Sequence, residues 1–183
     1  MWEPIGRRQF EFLVEQGLQP HHHLVDIGCG SLRAGVHFVR YLEAGHYHGL
    51  DIDPRLIAGG WKELRAEGLV DREPVLLVDD AFRLARFGRQ FDLALAQSVF
   101  THLPVNPIVR CLREVEKALV PGGRFFATFN QTDGRLAMTD KDPFRYDPDV
   151  FRWAVEGSSL DFELIGLWGH PRRTHPMMVF TKR

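Results

Sequence analysis

The sequence predicts an α/β protein built on a parallel sheet with helices on both faces. Three observations carry this. Strand-like and helix-like segments alternate along the chain. The runs Leu76-Leu77-Val78 and Leu93-Ala94-Leu95-Ala96 are apolar without the period-two alternation of a half-exposed strand, the pattern of strands covered on both sides. A glycine turn, Gly28-Cys29-Gly30, stands directly behind the first apolar strand and ahead of a helix-like run.

In chain order, residues 5–16 read as an opening helix of imperfect periodicity, closed by Gly17 and Pro20. Strands follow at 24–28, 47–52, 74–79 and 91–96, with helices at 31–43 and 55–66. The helix at 105–119 has the clearest signal. Ile108, Leu112, Val115 and Leu119 form one apolar stripe, Arg110 and Glu114 pair at i,i+4 outside it, and Pro121-Gly122-Gly123 ends it. A strand at 124–129, a polar connector at 131–146, a helix at 148–156 and strands at 162–168 and 176–182 complete seven strands. A connector of that length is a candidate functional loop.

All 183 residues read as one domain (1–183), with no repeat, low-complexity tract or interdomain linker. Charged residues Glu3, Arg7, Arg8, Glu11 and Glu15 exclude a secretory leader at the start, and no apolar run is long enough to span a membrane. Two cysteines at unrelated positions fit no disulfide framework and suit a cytoplasmic location. A net charge of −1 argues against a broad nucleic-acid footprint. The run His21-His22-His23 projects to different sides, a poor chelate, so a solvated loop and no metal are expected.

The site is legible at Asp26-Ile27-Gly28-Cys29-Gly30-Ser31. A carboxylate ends a strand, glycines let a ligand approach bare backbone, and a helix N-terminus follows. Asp51 arrives about 20 residues on, where a second strand end presents an acid to a ribose. A dinucleotide fingerprint would place glycine where Arg33 stands. Asp26 would also repel a pyrophosphate but attract an ammonium. S-adenosyl-L-methionine fits: its amino-acid head at Asp26, its ribose at Asp51.

From about Leu24 onward the chain resembles the class I S-adenosylmethionine-dependent methyltransferases. The glycine-rich motif at 25–31, the acid Asp51 and the acid-plus-small pair Asp80-Ala81 carry the resemblance. So do Phe91-Asp92-Leu93, the stretch Val99-Phe100-Thr101-His102-Leu103 and Leu119-Val120-Pro121-Gly122-Gly123-Arg124. The family pattern has a further glycine where this chain has Leu32. The resemblance implies a Rossmann-like, seven-stranded, mostly parallel sheet whose last strand returns antiparallel between its two predecessors. It also implies cofactor contacts from Asp26, Gly28, Gly30, Asp51, Ile52, Asp80, Ala81 and Gln97, with the Ala81 N–H facing a ring nitrogen. Arg33 meets either the cofactor carboxylate or a surface acid.

The expected reaction is in-line methyl transfer to a small-molecule acceptor. No Asn/Asp-Pro-Pro-Tyr motif of the nucleic-acid amino methyltransferases follows strand four, where Gln97-Ser98-Val99-Phe100 stands. His102 is either a general base or a packing histidine beneath the acceptor loop. Asn130, Tyr146 and His170 are candidate acceptor contacts, with an exposed basic hairpin at 169–175 as the plainer reading for His170. A non-catalytic S-adenosylmethionine-binding module and, further off, a nicotinamide-dependent oxidoreductase are the competing functions.

Overall fold

A computed structural model of the chain describes residues 2–132, 143–170 and 175–183. Its elements are α1 (Trp2–Glu15), β1 (Leu24–Ile27), α2 (Gly35–Tyr41), β2 (Tyr47–Asp51), α3 (Pro54–Ala66), β3 (Val75–Val78) and β4 (Phe91–Ala96). After these come α4 (Val105–Ala118), β5 (Leu119–Thr128), α5 (Pro148–Ala154), β6 (Leu160–Gly166) and β7 (Met177–Lys182). Single 3₁₀ turns occupy Val70–Arg72, Leu84–Phe87 and Phe100–His102.

The seven strands form one sheet in the order β3-β2-β1-β4-β5-β7-β6. Pairings among β1 to β5 are parallel, while β7 runs antiparallel to both β5 and β6. This is the expected Rossmann-like sheet, with the last strand inserted between its two predecessors.

Alternation along the strands sends two apolar sets to opposite faces. Val25, Ile27, Ala94, Ala96, Phe125 and Phe180 pack with Ile108, Leu112 and Val115 of α4 and Phe151 of α5. Leu24, Leu93, Leu95, Phe126 and Val179 pack on the other face with Phe12 and Leu13 of α1, Phe38 of α2 and Leu64 of α3. The stripe read in α4 is therefore the seam of one core.

Three expectations need correction. The helix expected from residue 31 begins only at Gly35, because residues 28–34 form a turn with two positive-φ glycines and a positive-φ Leu32. Helix α4 passes into β5 at Leu119 without a gap, so Pro121-Gly122-Gly123 lie in the strand, near a register shift opposite Phe91/Leu93. Finally, β3 is not covered on both sides. It is the edge strand, followed by a 3₁₀ turn rather than a full helix, and Val78 is 42% exposed.

The sheet's order reverses between β1 and β4, with crossovers leaving to opposite faces on either side. Open α/β sheets bind ligands outside the carboxyl ends of the strands at such a point. The residues following β1 and β4, Gly28 and Gln97, stand there.

Candidate active site

A cavity of about 240 Å³ lies at this point, bordered by Gln9, Asp26, Gly28, Gly30, Arg33 and Gln97 among others. It gathers five of the residues expected at the cofactor, Asp26, Gly28, Gly30, Arg33 and Gln97, from two separate stretches of chain. Gly28 takes φ +71°, and a Cβ there would lie 2.5 Å from Val99 Cγ2, so the close approach of the turn to the segment after β4 admits only glycine. A Cβ on Gly30 would meet nothing within 4 Å, which leaves its backbone open.

Leu32 occupies the place where the family pattern has glycine, and it keeps a glycine-like φ of +67°. The left-handed conformation costs a non-glycine residue about 1–2 kcal/mol. Burial of its side chain to 1% exposure, against Gly35 and Gly60, offsets that strain. Leu32 thus takes the left-handed backbone that a glycine at this place adopts without strain.

Asp51 is buried and holds this turn from the neighbouring strand. Its Oδ2 accepts the Gly30 N–H at 2.9 Å and its Oδ1 accepts the Asp53 N–H at 2.9 Å. Two of roughly four acceptor positions of the carboxylate are thereby used. Asp26 is 5% exposed and accepts the Tyr47 hydroxyl at 2.9 Å. Burial pushes its pKa up to about 7, opposed by the Tyr47 hydrogen bond and reinforced by the negative charge of Asp51. Arg33 Nη2 donates to Gln97 Oε1 at 3.2 Å across the cavity wall, tying the turn after β1 to the end of β4.

Other expected residues lie outside the cavity's lining. Ile52 is 67% exposed beside Asp51. Asp80 is exposed and paired with Arg83 Nη2 at 3.1 Å. The Ala81 N–H, expected to face a ring nitrogen, donates instead to Asp79 Oδ1 at 2.9 Å. Asp79 is the structural acid of the pair. Burial opposes its ionisation, but N–H groups of Arg83 and Ala81 and the guanidinium groups of Arg86 and Arg83 hold its carboxyl down at about 2.

The acceptor candidates divide. His102 is exposed at the end of its 3₁₀ turn. Asn130 and Tyr146 both close the neck of the 131–146 connector. Asn130 Nδ2 donates to Phe144 O at 2.9 Å, and its backbone carbonyl accepts the Tyr146 N–H at 2.8 Å. The Tyr146 ring is buried against Phe151, and its hydroxyl donates to Leu103 O at 2.6 Å. His170 is half-buried with its ring edge-on to Trp168 at 5.4 Å. The connector's interior (133–142) and the arginines of the hairpin (171–174) lie outside the described residues.

Among the described residues no group of three His, Cys, Asp or Glu side chains could hold a metal ion. Of the histidine run, His23 stacks on His46 at 3.8 Å between centroids. Cys29 and Cys111 are buried, and burial raises both thiols, so neither is poised as a nucleophile.

Sequence motifs had passed over Gln9, Tyr47 and Thr128. Thr128 Oγ1 accepts the Ser98 N–H at 2.8 Å and pins the positive-φ residue after β4. Only Gln9 left a trace, as the break in the periodicity of the first helix.

Residues 25–125 match the family described as a methyltransferase domain, more than half of the chain. The chain belongs to this family. It is a methyltransferase of the S-adenosylmethionine-dependent class, which sets aside both the oxidoreductase and the purely binding alternatives. Several solved structures share the fold. The CcbJ methyltransferase of Streptomyces caelestis is 15% identical over 98% of this chain and 90% of its own, with a TM-score of 0.76. An S-adenosylmethionine-dependent methyltransferase from Clostridium acetobutylicum is 14% identical over 100% and 92%, with a TM-score of 0.74. The magnesium protoporphyrin IX methyltransferase of Synechocystis, solved with bound S-adenosylmethionine, is 15% identical over 98% and 81%, with a TM-score of 0.73. No helix among the described residues of the methyltransferase is long and apolar enough to cross a membrane.

Proposed function

We propose that the methyltransferase transfers the methyl group of S-adenosylmethionine to a small-molecule acceptor, with the amino-acid end of the cofactor in the cavity between β1 and β4. The observation that carries this reading is the joint presence of the Asp26 carboxylate and the Arg33 guanidinium in one cavity lining. A zwitterion is matched by such a pair. At about 240 Å³ the cavity is smaller than the roughly 300–1,000 Å³ of pockets that enclose a whole ligand. It suits one end of a ligand whose remainder lies across the adjoining strand ends.

Asp51 continues the site, with its two unused acceptor positions for ribose hydroxyls. Ile52 and the 40%-exposed Leu56 supply apolar surface for adenine, and Asp80 supplies an acceptor for its amino group. When bound, S-adenosylmethionine brings a methyl carbon already made electrophilic by the sulfonium. The chain's contribution is alignment, which can supply about 7–11 kcal/mol, together with a base where the acceptor must lose a proton. His102, exposed beside the connector's neck, is the proposed base.

A small acceptor is favoured by the net charge of −1, too little positive charge for a phosphate backbone. The structural neighbour named for magnesium protoporphyrin IX acts on a molecule of that class.

Calorimetry with S-adenosylhomocysteine and with NAD tests the reading. Micromolar-range binding of the first and none of the second is expected. Asp51→Ala should weaken the first by roughly 10- to 150-fold, the loss of bonds to a charged group. A folded Asp51→Ala variant of unchanged affinity would remove Asp51 from the site.

A further inference from the structure

Helix α1 buries Gly6, Gln9, Phe12 and Leu13 along one stripe. Three of these fit their place by size or apolarity. A Cβ on Gly6 would lie 2.0 Å from the Arg33 carbonyl oxygen, so glycine lets α1 rest directly on the turn that carries Arg33. Gln9 does not fit in that way. It is 5% exposed, and its buried Nε2 has no hydrogen-bond partner. A buried donor left unpaired destabilises the fold, and an apolar side chain would complete the stripe. Gln9 also borders the Asp26–Arg33 cavity.

We propose that Gln9 is a cofactor-binding residue, its Nε2 donating to the carboxylate of the cofactor's amino-acid end, so that α1 is a wall of the cofactor site. The proposal rests on the functional reading above. Asp26 is the acidic group of the cavity and takes the ammonium, which leaves the carboxylate to the donors on the Arg33 side. Gly6 seats α1 on Arg33, and Gln9 follows on the same helix face, three residues on. The helix is anchored in that position. Arg8 Nε donates to the Trp168 carbonyl at 3.0 Å, and Glu15 of the same helix steadies the guanidinium through contacts of 2.7 and 2.9 Å to its two Nη atoms.

The test is calorimetry on the full chain with two ligands. S-adenosylhomocysteine has the amino-acid end; 5′-methylthioadenosine lacks it. Gln9→Met should weaken S-adenosylhomocysteine about 10- to 100-fold, leave 5′-methylthioadenosine within about twofold, and leave the melting temperature equal or higher. Gln9→Glu sets a carboxylate against a carboxylate and should weaken S-adenosylhomocysteine further. Unchanged affinity in Gln9→Met overturns the proposal, as does an equal loss for both ligands, which would mark a distorted site. Tighter binding by Gln9→Glu also overturns it, since the amide would then face the ammonium. A wild-type chain that binds neither ligand overturns the cofactor reading itself, and this proposal with it.

Discussion

Tyr47 of β2 donates its hydroxyl to Asp26 of β1 across a buried 2.9 Å contact, and this holds an acid whose pKa is raised to about 7 in the lining of the cavity between β1 and β4. The sign of the consequence follows from linkage. The folded state keeps its proton on Asp26 up to about pH 7, whereas an unfolded aspartate loses it near 3.9. Stability from this group is present at low pH and falls as pH rises between those values. Cofactor binding has the opposite sense, because an ammonium favours the carboxylate. Affinity for S-adenosylhomocysteine should therefore rise with pH up to about 7, by up to about tenfold per unit, and level off above. Asp26→Asn should abolish that dependence, bind more weakly at pH 8, and melt higher than wild type there. A wild-type affinity flat from pH 5.5 to 8 would remove Asp26 from the ammonium site.

His102 separates chemistry from binding. As the base it should, when replaced by alanine, lower turnover roughly 10²–10⁴-fold with an acceptor that must be deprotonated. Its exposure predicts an unchanged melting temperature, and cofactor affinity should stay within about twofold. Turnover near the wild-type rate would take the base role from it.

Asn130 and Tyr146 should act on the acceptor only through the connector they close. Asn130→Ala removes the hydrogen bond to Phe144 O and should raise the acceptor KM while leaving cofactor affinity intact. Tyr146→Phe removes the hydroxyl that meets Leu103 O. A lost hydrogen bond is worth about 0.5–1.5 kcal/mol, or about 1–6 °C in Tm for a chain of this size. Loss of cofactor affinity in either variant would place the connector's neck in the cofactor site.

His48 sets an acid limit. It is buried between the rings of Phe87 and Phe91, with Nδ1 at 3.3 Å from the His46 carbonyl. Burial pushes its pKa down to about 4, and the charges of Arg89 and His23 push the same way. Its folded pKa lies below the unfolded value, so stability is complete above about pH 6.5 and is lost as pH falls toward 4. His48→Gln should flatten the dependence of Tm on pH across that window, even if it melts lower at pH 7. The slope that remains combines His22 and His23, which burial also lowers, with the opposite contribution of Asp26. An unaltered slope would show that His48 gains its proton without cost.

The strand ends and glycine turn were legible because their physics is local. Gly28 must be glycine for its own φ and for Val99, and Asp51 reaches the Gly30 N–H because parallel neighbours place their carboxyl ends side by side. Apolar runs marked the strands for the same reason, since periodicity is a property of one segment. Edge position is not, and so Val78 was read as covered when β3 has a neighbour on one side only.

Partner choice was likewise decided by the tertiary structure alone. Sequence favours Asp80 over Asp79 because small Ala81 follows it, whereas in space Arg83 and Arg86 fold back onto the first acid and the Ala81 N–H turns to it as well. Asn130 and Tyr146 looked available because their carbonyl partners, Phe144, Thr101 and Leu103, offer only backbone, which carries no signature in sequence. The sequence by itself determined the sheet, the turn and the acids Asp26 and Asp51, through spacing and residue type. Which polar groups remain available, Gln9 among them, was decided only when helix α1 and the turn after β1 came together, because hydrogen-bond satisfaction depends on every group within reach in space.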